Sequence, residues 1–289
     1  MLDLHIHTKY SDGEFSPSET LEQAKNAGVT IASVTDHDTA SGIPKAFCAA
    51  QELQIKFLPG IEISTQGEKE LHILGYGINP EDENLLAFCR TQTIYCAQCT
   101  TKILAYLEDC GIPMTIEDVQ TYNDGKSNSR SHIARVLVAM GFSDSVQAAF
   151  DKYLTTPEFY AFVERPKPTP EEGIRMIRQA GGVAVLAHPY LLHLDMMLLE
   201  KLVIQLETCG LEGVEAYYSC HSTSQTEQYL WLAKKHNLLV TCGSDFHGPS
   251  VKPDIALGTG KNGNLNVSDE TIFVKLQDRI HKRKQNSLN

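Results

Sequence analysis

Apolar runs and amphipathic stretches take turns along the first part of the chain. Leu-Asp-Leu-His-Ile at residues 2–6 reads as a strand. Residues 18–27 have helical spacing, opened by Ser16-Pro17 and stopped by Gly28, which are start and stop signals of a helix. Residues 29–35 read as a second strand, 41–53 as a second helix, and 57–64 and 71–76 as two further strands. Strands alternating with helices predict parallel pairing in an α/β fold.

The middle of the chain breaks this rhythm. From residue 81 to 162 the pattern is helical with few strand signals, punctuated by Gly111-Ile112-Pro113 and Asn123-Asp124-Gly125, residue types that interrupt regular structure. A proline-rich joint at 166–170 follows, and alternation resumes. A helix at 169–180 ends in Gly181-Gly182, and 183–187 is a continuous apolar strand. Residues 195–208 form a helix capped by Asp195 and stopped by Gly210, as capping chemistry favours. Strand 213–217, helix 224–236, strand 239–242 and a basic helical tail complete the chain. The prediction is a body of about seven β/α units interrupted once. Residues 1–80 form its first part, 81–165 a helical insertion covering the substrate, and 166–289 its second part.

Composition narrows the class. Hydrophobic residues make up 42% of 289, ordinary for a chain with a proper core. No apolar run nears the ~20 residues of a membrane helix. The start, Met-Leu-Asp-Leu-His, lacks the basic and apolar regions of a signal peptide, so a cytoplasmic protein with no membrane partner is expected. The formal charge is −11, from 25 basic and 36 acidic residues. This excludes a broad nucleic-acid-coating surface but leaves room for a small nucleotide in a local basic pocket. Eight cysteines in a cytosolic chain predict free thiols with no disulfide partner. Cys96 and Cys99 form a C-x-x-C pair on a helical stripe running Leu85, Cys89, Gln92, Cys96, Cys99, Ile103, Tyr106, Cys110. With no second such pair or His pair nearby, they read as small core residues rather than ligands.

The candidate chemistry gathers at strand ends. His5 and His7 sit two apart, hence on one face of the first strand. Asp12 follows in Ser11-Asp12-Gly13, and His37 lies in Thr35-Asp36-His37-Asp38 after the second strand. Asp12 alone could be a turn former; Asp36 and Asp38 suit a supporting role or a solvated loop equally. Glu62 interrupts an apolar strand, where an acid is rarely structural without a partner. His72 opens the next strand and, alone, reads as a core histidine. His188 ends a strand in Ala187-His188-Pro189, and Asp245 and His247 follow the last one in Ser244-Asp245-Phe246-His247. Active sites of parallel α/β barrels form where such ends converge. Six histidines and three carboxylates are too many for one ion. They suit two or three divalent cations with Glu62 as a bridge, about 3.5–4 Å apart, as in two-metal phosphoryl chemistry.

The insertion adds Ser129-Arg130-Ser131-His132-Ile133-Ala134-Arg135, which reads as a helix start. A helix N-terminus beside Arg130 and Arg135 would attract phosphate, and His132 could pass a proton to the leaving oxygen. Alone, the same segment reads as a solvated basic helix. His221, after a strand, is a further substrate-lining candidate; His193, His236 and His281 receive no role.

In order and spacing, His5-Ile6-His7, Ser11-Asp12-Gly13, Thr35-Asp36-His37, Gly60-Ile61-Glu62, His72, Ala187-His188-Pro189 and Ser244-Asp245-Phe246-His247 resemble the PHP (polymerase and histidinol phosphatase) family. The resemblance implies a distorted (β/α)7 barrel with a three-metal centre. It implies a first ion held by His5, His7, Glu62 and Asp245, a second by Glu62, His72 and His188, and a third by Asp12, His37 and His247. The Arg/His motif is similar to the branch of small stand-alone phosphoesterases that includes ribonuclease AM and nucleoside 3′,5′-bisphosphate phosphatases. Manganese is the first expectation for the ions, with iron or zinc as alternatives. The function implied is metal-dependent hydrolysis of phosphate esters of nucleotides (3′,5′-bisphosphates or 5′-nucleotides) or of short RNA from its 5′ end. A small-metabolite phosphatase, for instance for histidinol phosphate, is the alternative enzyme. A metal-binding scaffold is the non-enzymatic one, which the complete ligand set disfavours.

Overall fold

The computed structural model describes residues 1–67, 69, 71–122 and 128–286. The turn signal at 123–125 lies outside the described residues. Seven strands run in sequence order around one sheet: β1 (Leu2–Ile6), β2 (Ile31–Val34), β3 (Lys56–Ser64), β4 (His72–Tyr76), β5 (Val183–Leu186), β6 (Gly213–Tyr218) and β7 (Leu239–Gly243). Beyond the ends of β1 and β7 the edges meet: Asp245 N–H donates to His5 C=O (2.8 Å) and His7 N–H to Phe246 C=O (2.9 Å). Gly243 permits the approach, since a Cβ there would sit 2.1 Å from that of His5. The sheet is thus curled into a nearly closed barrel.

One strand departs from the parallel expectation. β4 runs antiparallel to both β3 and β5, while β1–β2, β2–β3, β5–β6 and β6–β7 are parallel. Only residues 65–71 link β3 to β4, too few for the dozen or more that a parallel crossover needs. The reversal pairs His72 with Ser64. It therefore carries the first residue of β4 to the barrel end where the other strands finish.

Helices α1 (Pro17–Asn26) and α2 (Ile43–Glu52) follow β1 and β2. Ser16 and Glu19 form a capping box on α1, reciprocally satisfying two otherwise orphaned N–H groups. The insertion holds α3 (Glu83–Asp109), α4 (Ile116–Gln120), α5 (Arg130–Ala139), α6 (Val146–Ala149), a π turn at Phe150–Leu154 and α7 (Pro157–Phe162). After the joint come α8 (Pro170–Gln179), α9 (Met196–Thr208) and α10 (Thr223–Lys235). A small hairpin, β8 (Ile255–Ala256) with β9 (Gly260–Lys261), precedes α11 (Thr271–Asn286); it is too short to leave a period in the sequence.

Alternation along the strands sorts the core. Ile61, Ile63 and Ile73 cluster with Ile174, Val203 and Leu232 of α8, α9 and α10. Leu2, Tyr76 and Val183 cluster with Phe273, Leu276 and Ile280 of α11. The insertion has its own apolar cluster, including Ile103, Leu107, Ile133, Leu137 and Phe159. α3 joins two of these clusters: Leu85 and Cys89 belong to the first, and Cys99, Ile103 and Leu107 to the insertion's. The sequence stripe fails at its end, where Leu107 is buried and Cys110 is exposed. Among the described residues, no helix is long and apolar enough to cross a membrane.

Candidate metal centre

All nine expected ligands converge at one barrel end. Four overlapping groups bring donor atoms within 4.8 Å of one another: His7, Asp12, His37 and His247; His5, His7 and Asp245; His5, Glu62 and His188; His37, Glu62 and His72. These groups share His5, His7, His37 and Glu62, so the nine form one continuous cluster.

Glu62 is its centre. Its Oε2 lies 3.0 Å from His5 Nε2, 3.1 Å from His7 Nε2 and 3.3 Å from His37 Nδ1. Its Oε1 lies 2.9 Å from His72 Nδ1 and 2.8 Å from His188 Nε2. Asp245 Oδ1 faces His7 Nε2 at 3.2 Å, and Asp12 Oδ1 faces His247 Nε2 at 3.3 Å. Except for His37, whose side chain is 24% exposed, these groups are buried.

The donor chemistry fits divalent cations. His5 Nδ1 is 2.9 Å from the Glu215 carboxylate and His247 Nδ1 is 2.9 Å from Asp245 C=O. Each bond places the ring proton on Nδ1, which turns the Nε2 lone pair toward Glu62 or Asp12. Lone pairs facing carboxylate oxygens need positive charge between them. Asp12 Oδ1 is buried and lacks a hydrogen-bond partner among the described residues.

The titrations carry the same message. Burial alone would raise Asp12, but the imidazoles of His247 and His37 hold its carboxyl well below the usual range. Burial is likewise overridden at Glu62 by His37, His5 and His72, and at Asp245 by Lys252, His247 and His5. Burial, reinforced by His247 and His37, lowers His7 to about 4. Burial would lower His5 too, yet Glu215, Glu62 and Asp245 draw it well above its ordinary value.

A supporting layer fixes the cluster. Glu215 is fully buried and accepts His188 N–H at 2.8 Å besides facing His5. That contact holds His188 at φ 25°, a left-handed conformation also found at Asp245 (φ 58°) and Asp38 (φ 55°). Such backbones cost about 1–3 kcal/mol each. Asp245 Oδ2 accepts Tyr218 O–H at 2.9 Å and Lys252 at 2.6 Å. Asp36 accepts from Thr8 N–H, Thr8 O–H and Ser11 O–H, and burial pushes it up to about 6. Asp38 accepts from Arg165 at 2.6 Å and from Ser64 N–H at 2.9 Å. Neither acid is a solvated loop residue. Sequence reading missed Glu215, although its place inside an apolar strand is the same anomaly that exposed Glu62. Tyr218 and Arg165 act across long sequence separations, and Lys252, seven residues after Asp245, stands in no motif that marks it.

The four substrate candidates separate. Ser131 O–H donates to Asp12 Oδ2 at 3.1 Å, so the start of α5 abuts the cluster. His132 Nδ1 accepts Ser129 N–H at 3.1 Å, while its buried Nε2 has no partner among the described residues. Burial lowers this imidazole to about 4. Arg135 stacks over Tyr122, 4.4 Å from the ring centre, with Nε and Nη1 buried and likewise unpartnered. Arg130 instead turns into the insertion, donating from Nη1 to Leu154 C=O and Tyr160 O–H at 3.3 Å each. His221 bonds Ala216 C=O through Nδ1 (2.9 Å) and sits among Tyr190, Tyr218 and Tyr229. His236 bridges Glu200 and Glu207 at 2.8 Å each, a structural use. Cys96 and Cys99 join none of the ligand groups.

The chain is similar to known proteins in sequence and fold. The chain is 32% identical to a 3′,5′-nucleoside bisphosphate phosphatase of Chromobacterium violaceum over 250 residues, covering 86% of this chain and 87% of that one. It is 34% identical to a 5′-3′ exoribonuclease of Haemophilus influenzae, covering 94% and 97%. An amidohydrolase structure from Chromobacterium violaceum, solved with bound sulfate and no metal, superposes with a TM-score of 0.84 at 29% identity and 96% coverage of both chains. The PHP domain family model matches residues 3–163. With the curled seven-stranded sheet and the converging histidines and acids, these likenesses establish that the chain belongs to the PHP domain family.

Proposed function

We propose that this chain is a metal-dependent phosphoesterase acting on nucleotides: 3′,5′-bisphosphates, 5′-nucleotides and short RNA taken from its 5′ end. The observation that carries the reading is the convergence of five imidazoles on the two oxygens of Glu62. The activities named for the two relatives above support the nucleotide part.

We assign His5, His7, Glu62 and Asp245 to a first cation, Glu62, His72 and His188 to a second, and Asp12, His37 and His247 to a third. Imidazole-rich donors suit manganese, iron or zinc better than magnesium, and manganese is our first choice. Bound there, such ions supply an acidified water and positive charge for phosphoryl oxygens.

The chain's own groups do the rest. Arg135 offers buried N–H donors that have no partner among the described residues to a substrate phosphate. Its neighbour His132 presents Nε2–H; a bound phosphate dianion would raise its pKa and let it protonate the leaving oxygen. Arg130 holds the insertion's fold rather than the substrate, and His221 braces the strand behind His188. Residues 81–165 act as a cap over the centre. A reducing, cytoplasmic setting completes this reading.

Protein loaded with manganese, iron or zinc is offered adenosine 3′,5′-bisphosphate, AMP, 5′-phosphorylated RNA and histidinol phosphate. Release of phosphate or 5′-nucleotide from the nucleotides is expected. Turnover of histidinol phosphate alone, or of nothing, overturns the reading.

A further inference from the structure

A cavity of about 390 Å³ opens beside His37, between the barrel and the insertion. That volume falls within the ~300–1,000 Å³ of small-molecule sites. Tyr10 lines it from the loop after β1, Thr39 and Ser41 from the loop after β2, and Gln92, Thr93 and Cys96 from α3. The metal cluster explains none of these six.

The lining holds one acid and, His37 aside, no cationic side chain. Asp38, the one acid in the lining, is ion-paired with Arg165 at 2.6 Å. Two cations stand behind the lining, Arg165 on Asp38 and Lys45 with Nζ 5.9 Å from the Tyr10 ring centre, while Arg135, with its unpartnered donors, belongs to the Asp12 side of the cluster. What the cavity offers is an aromatic ring and neutral polar groups. The Tyr10 ring is braced on Gly42, where a Cβ would come within 3.2 Å of it. Thr39 Oγ1 accepts Ser41 N–H at 3.2 Å, which leaves its own proton to give. Thr93 Oγ1 donates to Cys89 C=O at 3.0 Å, which leaves its lone pairs to accept. A flat, uncharged, hydrogen-bonding group matches this lining.

We infer that this cavity binds the uncharged nucleoside portion of the substrate, a heterocyclic base with its sugar, and that Thr93 and Cys96 on α3 set how large a base is admitted. The inference rests on the nucleotide phosphoesterase reading and adds to it the place where the nucleoside lies.

Adenosine, which has no phosphate, tests the cavity apart from the chemistry. At millimolar adenosine the backbone amide resonances of Thr39, Ser41, Gln92 and Thr93 should shift, and the shifts should vanish in Cys96→Trp, which fills the space. Thr93→Trp, at an exposed position on α3, is the second variant should Cys96→Trp fold poorly. Shifts confined to other residues, or none, overturn the assignment. In turnover, preference for adenosine 3′,5′-bisphosphate over the same sugar bisphosphate lacking its base should fall roughly tenfold in either variant, the lower range of base–aromatic stacking. An unchanged preference overturns it as well. If the unaltered protein hydrolyses neither compound, the phosphoesterase reading fails, and the adenosine shifts still decide the cavity.

Discussion

Glu62 and Glu215 are both fully buried acids within apolar strands, but their surroundings divide their roles. Glu62 faces five imidazole nitrogens with both oxygens. Glu62→Gln keeps the shape but puts an NH2 where one oxygen stood, and an amide nitrogen is no ligand. Metal analysis should find fewer ions per chain, and kcat/KM should fall more than about hundredfold, beyond the usual effect of an outer partner. Full occupancy in that variant would remove Glu62 from the bridge. Glu215 acts one step away, through His5 and the backbone of His188. Glu215→Gln should weaken metal affinity about 10–100-fold while the ion count at saturation is kept, as competition with a chelating dye would report. His132 gives a pH signature. Its folded pKa of about 4 lies below the free value of 6.5, so between those values the unfolded chain binds a proton that the folded one refuses. Stability is therefore lost as pH falls from 6.5 and levels off near 4, by roughly 3 kcal/mol at full effect. The acid slope of Tm should be shallower in His132→Gln; an equal slope would show the imidazole to be less confined than its contacts imply.

At the level of elements, the strands were legible because buried parallel strands are short apolar runs with stops around them. The direction of β4 was not, because periodicity reports which face is buried and says nothing of pairing sense. Link length carried the missing signal: residues 65–71 cannot make a parallel crossover. The same fact explains His72, whose position at the start of a strand looked out of keeping with ligands at strand ends. The reversed strand brings it to the shared end, opposite Ser64. A supporting contact such as Arg165 with Asp38 follows from tertiary closure alone, and no local pattern announces it. In α5 the sequence offered two arginines without ranking them. Their surroundings now differ: Arg130 has partners within the insertion, while Arg135 keeps two buried donors with no partner among the described residues. Arg135→Ala should raise KM for a 3′,5′-bisphosphate about tenfold or more, the scale of a hydrogen bond to a charged group, with Tm little changed. Arg130→Ala should chiefly lower Tm. The reverse pattern in kinetics and calorimetry would exchange their roles.

For the molecule as a whole, the barrel end gathers three carboxylates held ionised in a buried setting. Burying like charges is costly unless opposite charge accompanies them. A second proton on His5 supplies opposite charge while no cation is bound, and a cation ligated by His5 would displace that proton and take its place. The nine residues come from β1 and its loop, the loops after β2, β5 and β7, and strands β3 and β4, so the cluster exists only once the sheet has curled and closed. A cation bound there therefore favours the folded chain over the unfolded one. At a free concentration one hundred times Kd the gain is about 2.7 kcal/mol for a single site, or roughly 5–10 °C in Tm at the size dependence of larger domains. Chelation should lower Tm by that amount and added manganese should restore it. The insertion has its own apolar cluster, so Arg135→Ala should keep the whole metal-dependent shift, whereas Glu62→Gln should lose most of it. Because Tm does not depend on turnover, this comparison separates metal binding from substrate binding. A Tm indifferent to metal in the unaltered protein, or a shift of equal size in Glu62→Gln, would mean that cations do not hold this end of the barrel together.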